Sequence, residues 1–397
     1  MDITAVLDSY SDSWEDYWDD SLTPYQNSYE LLSKAIALPY SNIQLPIAIS
    51  YAWTNAKWAR CLGIHLAYGP EGSGKSTIAK FARGLREGIA FGDGSTFASI
   101  RNYLQSTKYQ SDEDGPISEL DGAALILDNV YSSTFQGADN KLRSLILCGY
   151  KKADDRLTIA QPGNGENIEF RTFSTKLISS VDPIHECHDL RELKRRLVFT
   201  FHEKWEQMNE AERPEFDMTE RIDFDELDWS GMFKKAYMPV YGTDAGQMGS
   251  LNVHVYGKFK TALKRYKKWP KAVTSERKEI MIDLLSTGRI IEAWDSIEAA
   301  ACVAGTYWEF IDSRVGSQKS DLEQVLVEML DIYELAASKT GKPSSVPTTT
   351  INKELERRYS AGDFLERPKA SAVRDILFKR GYRPEKSASG NMNWVST

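Results

Sequence analysis

The run Gly63-Ile64-His65-Leu66-Ala67-Tyr68 is short and apolar, as a buried strand is. It leads into Gly69-Pro70-Glu71-Gly72-Ser73-Gly74-Lys75-Ser76 and then into the helical Thr77-Ile78-Ala79-Lys80-Phe81-Ala82. A strand, a loop of the form G-x-x-x-x-G-K-[ST] and a helix, in that order, predict an α/β fold with a phosphate-binding loop. Backbone N–H groups of such a loop point inward at a helix N-terminus, where the helix dipole favours an anion. On this reading Gly69, Gly72, Ser73, Gly74, Lys75, Ser76 and Thr77 hold the phosphates of ATP. Lys75 reaches the β- and γ-phosphates, and the Ser76 hydroxyl binds Mg2+.

A loop of this kind needs an acid at the end of a neighbouring buried strand. Gly122-Ala123-Ala124-Leu125-Ile126-Leu127-Asp128 fits, with Asp128 holding the metal through water. The next residue is Asn129, where most ring ATPases carry the glutamate that orients the attacking water. An amide can hydrogen-bond a water but cannot accept its proton. The sequence therefore leaves two options open: slow hydrolysis, or another acid such as Asp121 or Asp139 in the glutamate's place.

Composition excludes several other classes. The chain has 397 residues, 41% hydrophobic and 27% charged, ordinary values for a folded globular protein of two or three domains. No apolar run approaches the roughly 18 residues a membrane span needs, and Met1 to Asp20 is acidic and lacks a signal-peptide pattern. The four cysteines, Cys61, Cys148, Cys187 and Cys302, lie far apart and read as reduced thiols of a cytoplasmic protein. The net charge of −8 is unevenly spread. Residues 1–60 carry 3 basic and 8 acidic side chains, whereas residues 342–397 carry 11 basic and 6 acidic. A basic end can meet phosphate even in an acidic protein.

The blocks are an acidic arm and helical region (1–60), the α/β core (61–205), a mainly helical region (206–340), a linker rich in Pro, Gly and Ser (341–347) and a small end module (348–397). From Asp128 onward the order is Lys141-Leu-Arg-Ser-Leu-Ile-Leu-Cys-Gly-Tyr-Lys-Lys152, Arg156-Leu-Thr-Ile-Ala160, Phe170-Arg-Thr-Phe-Ser-Thr-Lys-Leu-Ile-Ser-Ser180 and Leu193-Lys-Arg-Arg-Leu-Val-Phe199. With the phosphate loop, this order resembles the AAA+ helicase domain of primase-helicases and replication proteins of phages, plasmids and other mobile elements. That group is related to superfamily three and MCM-like helicases. The resemblance spans roughly residues 45–205, with a weaker echo in the end module.

The resemblance implies an α/β P-loop AAA+ ATPase core with helical flanking regions and a C-terminal winged-helix-like module. It implies an oligomeric, ATP-dependent DNA helicase or translocase of mobile-element replication. The alternative is an ATP-gated DNA-binding assembly with slow hydrolysis, acting as an initiator, loader or transposition regulator. It also implies that Ser180 (or Ser179) senses the γ-phosphate. Arg196 would be an arginine finger completing the site of a neighbouring subunit, in a hexameric ring or spiral. The strands Arg156–Ala160 and Asn167–Phe173 form a hairpin that grips DNA in this group. Its tip here carries no lysine or arginine, so Lys151 and Lys152 at its base are the candidate contacts.

Further candidate DNA contacts lie elsewhere. The run from Lys258 to Lys271 carries seven cationic residues, among them Lys264 and Lys268, interleaved with Phe259, Tyr266 and Trp269. The same spacing also suits an amphipathic helix with a solvated basic face. In the end module, two helical patterns and a two-strand tail suggest a winged helix, with Lys369, Arg374, Lys379 and Arg380 on its second helix. The arm Ser11 to Asp20 reads as a solvated tail, a docking peptide for other replication proteins, or a phosphate mimic. His185-Glu-Cys-His188 lacks the second ligand pair that a metal site needs.

Overall fold

The computed structural model describes residues 12–396 except 57, 87–88, 92–94, 107–123, 136–140, 153–155, 161–166, 182–183, 185–192, 242–244, 267–268, 270–272, 292–295, 316–320, 340, 342, 361–367 and 388–389. The chain forms two compact units, Met1–Glu309 and Phe310–Thr397. Asp121, Asp139, Lys268, the hairpin tip and the His185–His188 run lie outside the described residues.

In the first unit, the Thr23 side chain caps α1 (Pro24–Ala35) and pairs reciprocally with Gln26, and proline fills the first helical position. The next helix, α2 (Ser41–Trp53), is buried from Ile43 to Trp53. Its sequence is apolar on every side, which only an interior position satisfies. Then follow β1 (Ile64–Tyr68), α3 (Lys75–Arg86), β2 (Ile89–Phe91), α4 (Phe97–Ser106), β3 (Ala124–Leu127), α5 (Lys141–Leu147), β4 (Arg156–Ala160), β5 (Asn167–Arg171), β6 (Thr175–Ser180) and β7 (Leu197–Phe201).

Five of these strands make a parallel sheet in the order β2-β3-β6-β1-β7, and β4 and β5 pair antiparallel as a separate hairpin. The expected α/β layer is thus a parallel central sheet with flanking helices. Strands β1, β3, β6 and β7 are buried or nearly so along their length, as parallel strands covered on both faces must be. Because β6 lies between β1 and β3, Tyr68 pairs with Ser180, and Leu127 pairs with Ile178. The carboxyl ends of all three strands therefore open on one edge, where α/β sheets bind their ligands.

At the sheet's edge, β7 would leave backbone groups unpaired. The Gln44 side-chain amide meets them, accepting Phe201 N–H at 2.5 Å and donating to the Phe201 carbonyl at 3.1 Å. The sheet is followed by a π-helical turn (Phe233–Tyr237), α6 (Met238–Tyr241), α7 (Ala245–Tyr266), α8 (Ser275–Ile290) and α9 (Ile297–Val315), within which the division between the units falls. Asp283 of α8 accepts the N–H groups of Arg60 at 3.0 Å and Cys61 at 2.8 Å, fixing the segment that enters β1. Burial pushes the Asp283 carboxyl above its ordinary value, with the two N–H donors and Arg60 opposing that shift.

The acidic arm is anchored by Trp14, while Asp12, Glu15, Asp16, Asp19 and Asp20 stay exposed. Ser13 caps a 3-10 turn (Trp14–Tyr17), and the Trp14 side chain is 2% exposed. The Trp14 indole Nε1 donates to the Ser230 carbonyl at 3.0 Å, and its backbone N–H to Asp228 O at 3.1 Å. This corrects the solvated-tail reading at Trp14, which ties the arm to the first unit. An apolar indole can gain more from burial than neighbouring carboxylates lose by staying at the rim.

In the second unit, α10 (Asp321–Ser338), β8 (Ser345–Pro347), α11 (Thr348–Ser360), α12 (Ala370–Lys379), β9 (Tyr382–Lys386) and β10 (Met392–Ser396) surround a core of Val325, Leu326, Val346, Leu377, Tyr382 and Trp394. Its sheet runs β8-β10-β9, all antiparallel. Ser345–Pro347, within the stretch read as a linker, pairs with β10 as a strand. Val346 is fully buried there, which breaker-rich neighbours conceal in the sequence.

Candidate nucleotide site

The loop between β1 and α3 has the conformation its glycines allow. Gly72 and Gly74 have φ of 72° and 82°, in the left-handed region that residues with a Cβ avoid. A Cβ at Gly69 would land on the backbone carbonyl of His202. The Ser73 hydroxyl donates to Pro70 O at 2.7 Å, and Thr77 N–H to Gly74 O at 3.1 Å. Lys75 opens α3 and is 7% exposed, its ammonium donating to the carbonyls of Gly69 at 2.8 Å and Pro70 at 2.6 Å. Burial pulls its pKa below the ordinary lysine value, against the attraction of Glu71 and Asp128. An ammonium hydrogen-bonded to neutral carbonyls is ready to exchange them for phosphate oxygens.

Asp128 stands beside the loop at the end of β3. The Ser76 hydroxyl donates to Asp128 Oδ1 at 3.1 Å, and the Ser179 hydroxyl donates to the same oxygen. Ser179 also accepts the N–H of Asn129 at 2.8 Å. It therefore orients both the acid and the residue after it. Ser180 has a different setting: its hydroxyl donates to Val130 O at 2.7 Å and is fully buried. Adjacent strand residues face opposite sides, so only Ser179 shares the face of Asp128. Asn129 is exposed and has φ of 54°, a left-handed conformation that asparagine tolerates better than most residues.

Beneath the loop runs a chain of buried polar groups that the sequence reading missed. His202 Nδ1 lies 3.3 Å from Ser73 O, His202 Nε2 lies 3.0 Å from Thr200 Oγ1, and Thr200 Oγ1 lies 2.9 Å from His65 Nε2. The Ser73 carbonyl can only accept, which fixes the sequence of donors. His202 Nδ1–H donates to the loop, Thr200 donates to His202 Nε2, and His65 Nε2–H donates to Thr200. Burial holds both imidazoles neutral, each pushed down to about 3. The available signal was Thr200 and His202 alternating in an otherwise apolar strand.

Two results follow from this chain. Replacing His202 by leucine is expected to weaken ATP binding about tenfold, one hydrogen bond's worth, whereas His202→Asn, which keeps an N–H donor, recovers part of the loss. Calorimetric titration with ATP checks this, and wild-type affinity in His202→Leu would refute it. The unfolded chain protonates both histidines below about 6.5 while the folded chain resists down to about 3. Stability therefore falls as pH drops through that window, and thermal melts should show a shallower fall for His202→Leu.

The remaining candidates are dispersed. Arg196 precedes β7, a strand's length from the phosphate loop at the opposite edge of the sheet. Its guanidinium donates to Leu147 O and lies 4.1 Å from the Tyr150 ring centroid. Arg195, next to it, is exposed and 3.9 Å from Glu276. Lys151 and Lys152 lie along Arg60 and Cys61, ahead of β1. Lys264 is exposed on α7, and Lys369, Arg374, Lys379 and Arg380 are exposed on α12 or at its ends, Arg374 lying 3.9 Å from Asp375. Lys204 adds an unforeseen cation, its Cε 3.8 Å from where a Cβ on Gly72 would sit.

No protein-family model matches the chain, and no curated protein matches it. Among solved structures, it is similar to the active helicase Cch of SCCmec type IV. The identity is 14% and the TM-score 0.47, over 96% of this chain and 69% of that one. Among the described residues, no helix is long and apolar enough to cross a membrane, and no three His, Cys, Asp or Glu side chains cluster to hold a metal.

Proposed function

We propose that the chain is an oligomeric AAA+ ATPase that couples ATP hydrolysis to movement along, or unwinding of, DNA in mobile-element replication. The observation that carries this reading is the convergence of Lys75, Ser76, Asp128 and Ser179 at the carboxyl edge of the parallel sheet. The hydroxyl and carboxylate oxygens of Ser76 and Asp128 are the hard donors that suit Mg2+, which completes its shell with water and phosphate oxygens. Bound there, the ion would neutralise phosphate charge. The chain's own part is to cradle the phosphates with loop N–H groups, to place the Lys75 ammonium against them, and to hold the Asp128 carboxylate in place through Ser179.

The position of Arg196 supports assembly. From the far edge of the sheet it cannot serve the site of its own chain, while a neighbour packed against that edge could receive it, provided the guanidinium leaves Leu147 and Tyr150. The second unit supports DNA contact, since the helices α11 and α12 with a three-stranded sheet suit a winged helix that presents Lys369, Arg374, Lys379 and Arg380.

A second reading is favoured by Asn129. It stands where a water-orienting carboxylate would, so ATP would assemble the protein on DNA and slow turnover would release it. ATP turnover with and without DNA, in wild type and Asn129→Glu, separates the two. The motor reading expects DNA-stimulated turnover in the wild type. Negligible wild-type turnover that Asn129→Glu raises about 10²-fold, the usual worth of a general base, would establish the gated assembly instead. The left-handed backbone at position 129 costs a glutamate about 1–2 kcal/mol, little enough for the variant to fold.

A further inference from the structure

We propose that the groove between α7, the end of α8 and the start of α9 seats the phosphate backbone of a single DNA strand. The groove is open and encloses about 740 Å³, and all of it belongs to the first unit. Lys258, Thr261 and Arg265 line it from α7, at the i, i+3, i+7 spacing that puts side chains on one helical face. Lys258 and Arg265 stand about 10 Å apart along the helix axis, too far to share one phosphate and suited to successive ones. Among the described residues that line the groove, Arg289 adds a third cation from the last turn of α8, and Glu298 is the one carboxylate. Lys258 and Arg265 are exposed, so phosphate meets them without the cost of burying an unpaired charge.

A second, independent observation is Gly257 on the same wall. A glycine inside a helix costs about 1 kcal/mol against alanine. Gly257 is not among the glycines with positive φ, and a Cβ added to it would meet nothing within 4 Å. Neither backbone conformation nor packing calls for glycine there. Bare backbone does leave room for a ligand to approach closely. Beside it Val253 is 70% exposed, an apolar surface for a sugar or base.

The shape selects the polymer. A mononucleotide site buries most of its ligand, whereas this groove is open to solvent. Its cations line a recess, which a flexible single strand can enter and a stiff duplex cannot follow. The identification of the polymer as DNA rests on the function proposed above, and the anionic character of the ligand does not. The sequence reading chose Lys264, which is on α7 but not on the groove wall; Arg265 takes its place.

The test is fluorescence anisotropy of a labelled oligothymidylate with the full chain, titrated across salt concentration. Single-strand binding loses about 0.7 in log K per log unit of salt for each phosphate neutralised. Lys258→Gln with Arg265→Gln is therefore expected to make the slope about 1.4 shallower. Gly257→Leu fills open space, so its thermal midpoint should equal or exceed the wild type's while affinity for the strand drops about tenfold. Wild-type slope and affinity in these variants would overturn the groove and leave the DNA-dependent ATPase standing. A wild-type protein that binds no strand at all would sink both readings. Duplex bound as tightly as single strand, and weakened equally by the variants, would overturn the single-strand assignment.

Discussion

Lys75→Ala is expected to lower ATP turnover by about 10²–10³-fold or more and to abolish tight ATP binding, without unfolding the protein. The ammonium is held over the loop by two neutral carbonyls, Gly69 O and Pro70 O, inside a site where it is 7% exposed. Phosphate oxygens are better partners than carbonyls, because both members of the pair are charged and the local dielectric is low. Removing one preorganised donor from a site where negative charge gathers typically costs that factor. The fold should survive, because the loop backbone is held by other bonds. Gly69 N–H donates to Ser180 O at 3.3 Å, and the Ser73 carbonyl is met by His202. Turnover, ATP calorimetry and a thermal melt on the same preparation check all three expectations. Wild-type turnover in Lys75→Ala would show that the loop does not hold the nucleotide.

The phosphate loop was legible because every constraint on it is local. One strand, two left-handed glycines and one lysine are contiguous, and nothing distant is needed to place them. Asp128 was legible for the same reason, as the acid that ends an apolar run. What the sequence hid depends on partners far along the chain. The choice between Ser179 and Ser180 turns on which side of the sheet each hydroxyl points to, and on β6 lying beside β3, which needs the sheet order. The chain His65–Thr200–His202 needs β7 beside β1. The basic helix was recognised as a candidate DNA surface, but which of its cations share a groove depends on where α8 ends and α9 begins. Arg196 was legible as the residue before a strand-like run, while its partners Leu147 and Tyr150 come from a different segment.

The acidic arm shows the same limit most sharply, and Trp14→Ala tests it. The expected loss is about 3–5 kcal/mol, the usual cost of removing a large buried aromatic side chain. A ten-residue run in which eight residues are acidic or aromatic suggests a solvated segment, yet the partners of Trp14 lie more than two hundred positions away at Asp228 and Ser230. Its indole joins one core cluster with Phe81, Ala82 and Leu85 of α3 and with Phe233 and Tyr237, and stands edge-on to Trp18 at 5.4 Å. The acidic side chains contribute much less. Glu15 pairs with Lys235 where both are well exposed, so Glu15→Gln should cost below about 1 kcal/mol. Urea unfolding of the two variants separates indole packing from charge, and equal, small effects would return the arm to the solvent. Because α3 begins at Lys75, loss of Trp14 also loosens the helix that carries the phosphate loop. Trp14→Ala should therefore weaken ATP binding at temperatures where the protein is still folded, and Glu15→Gln should not.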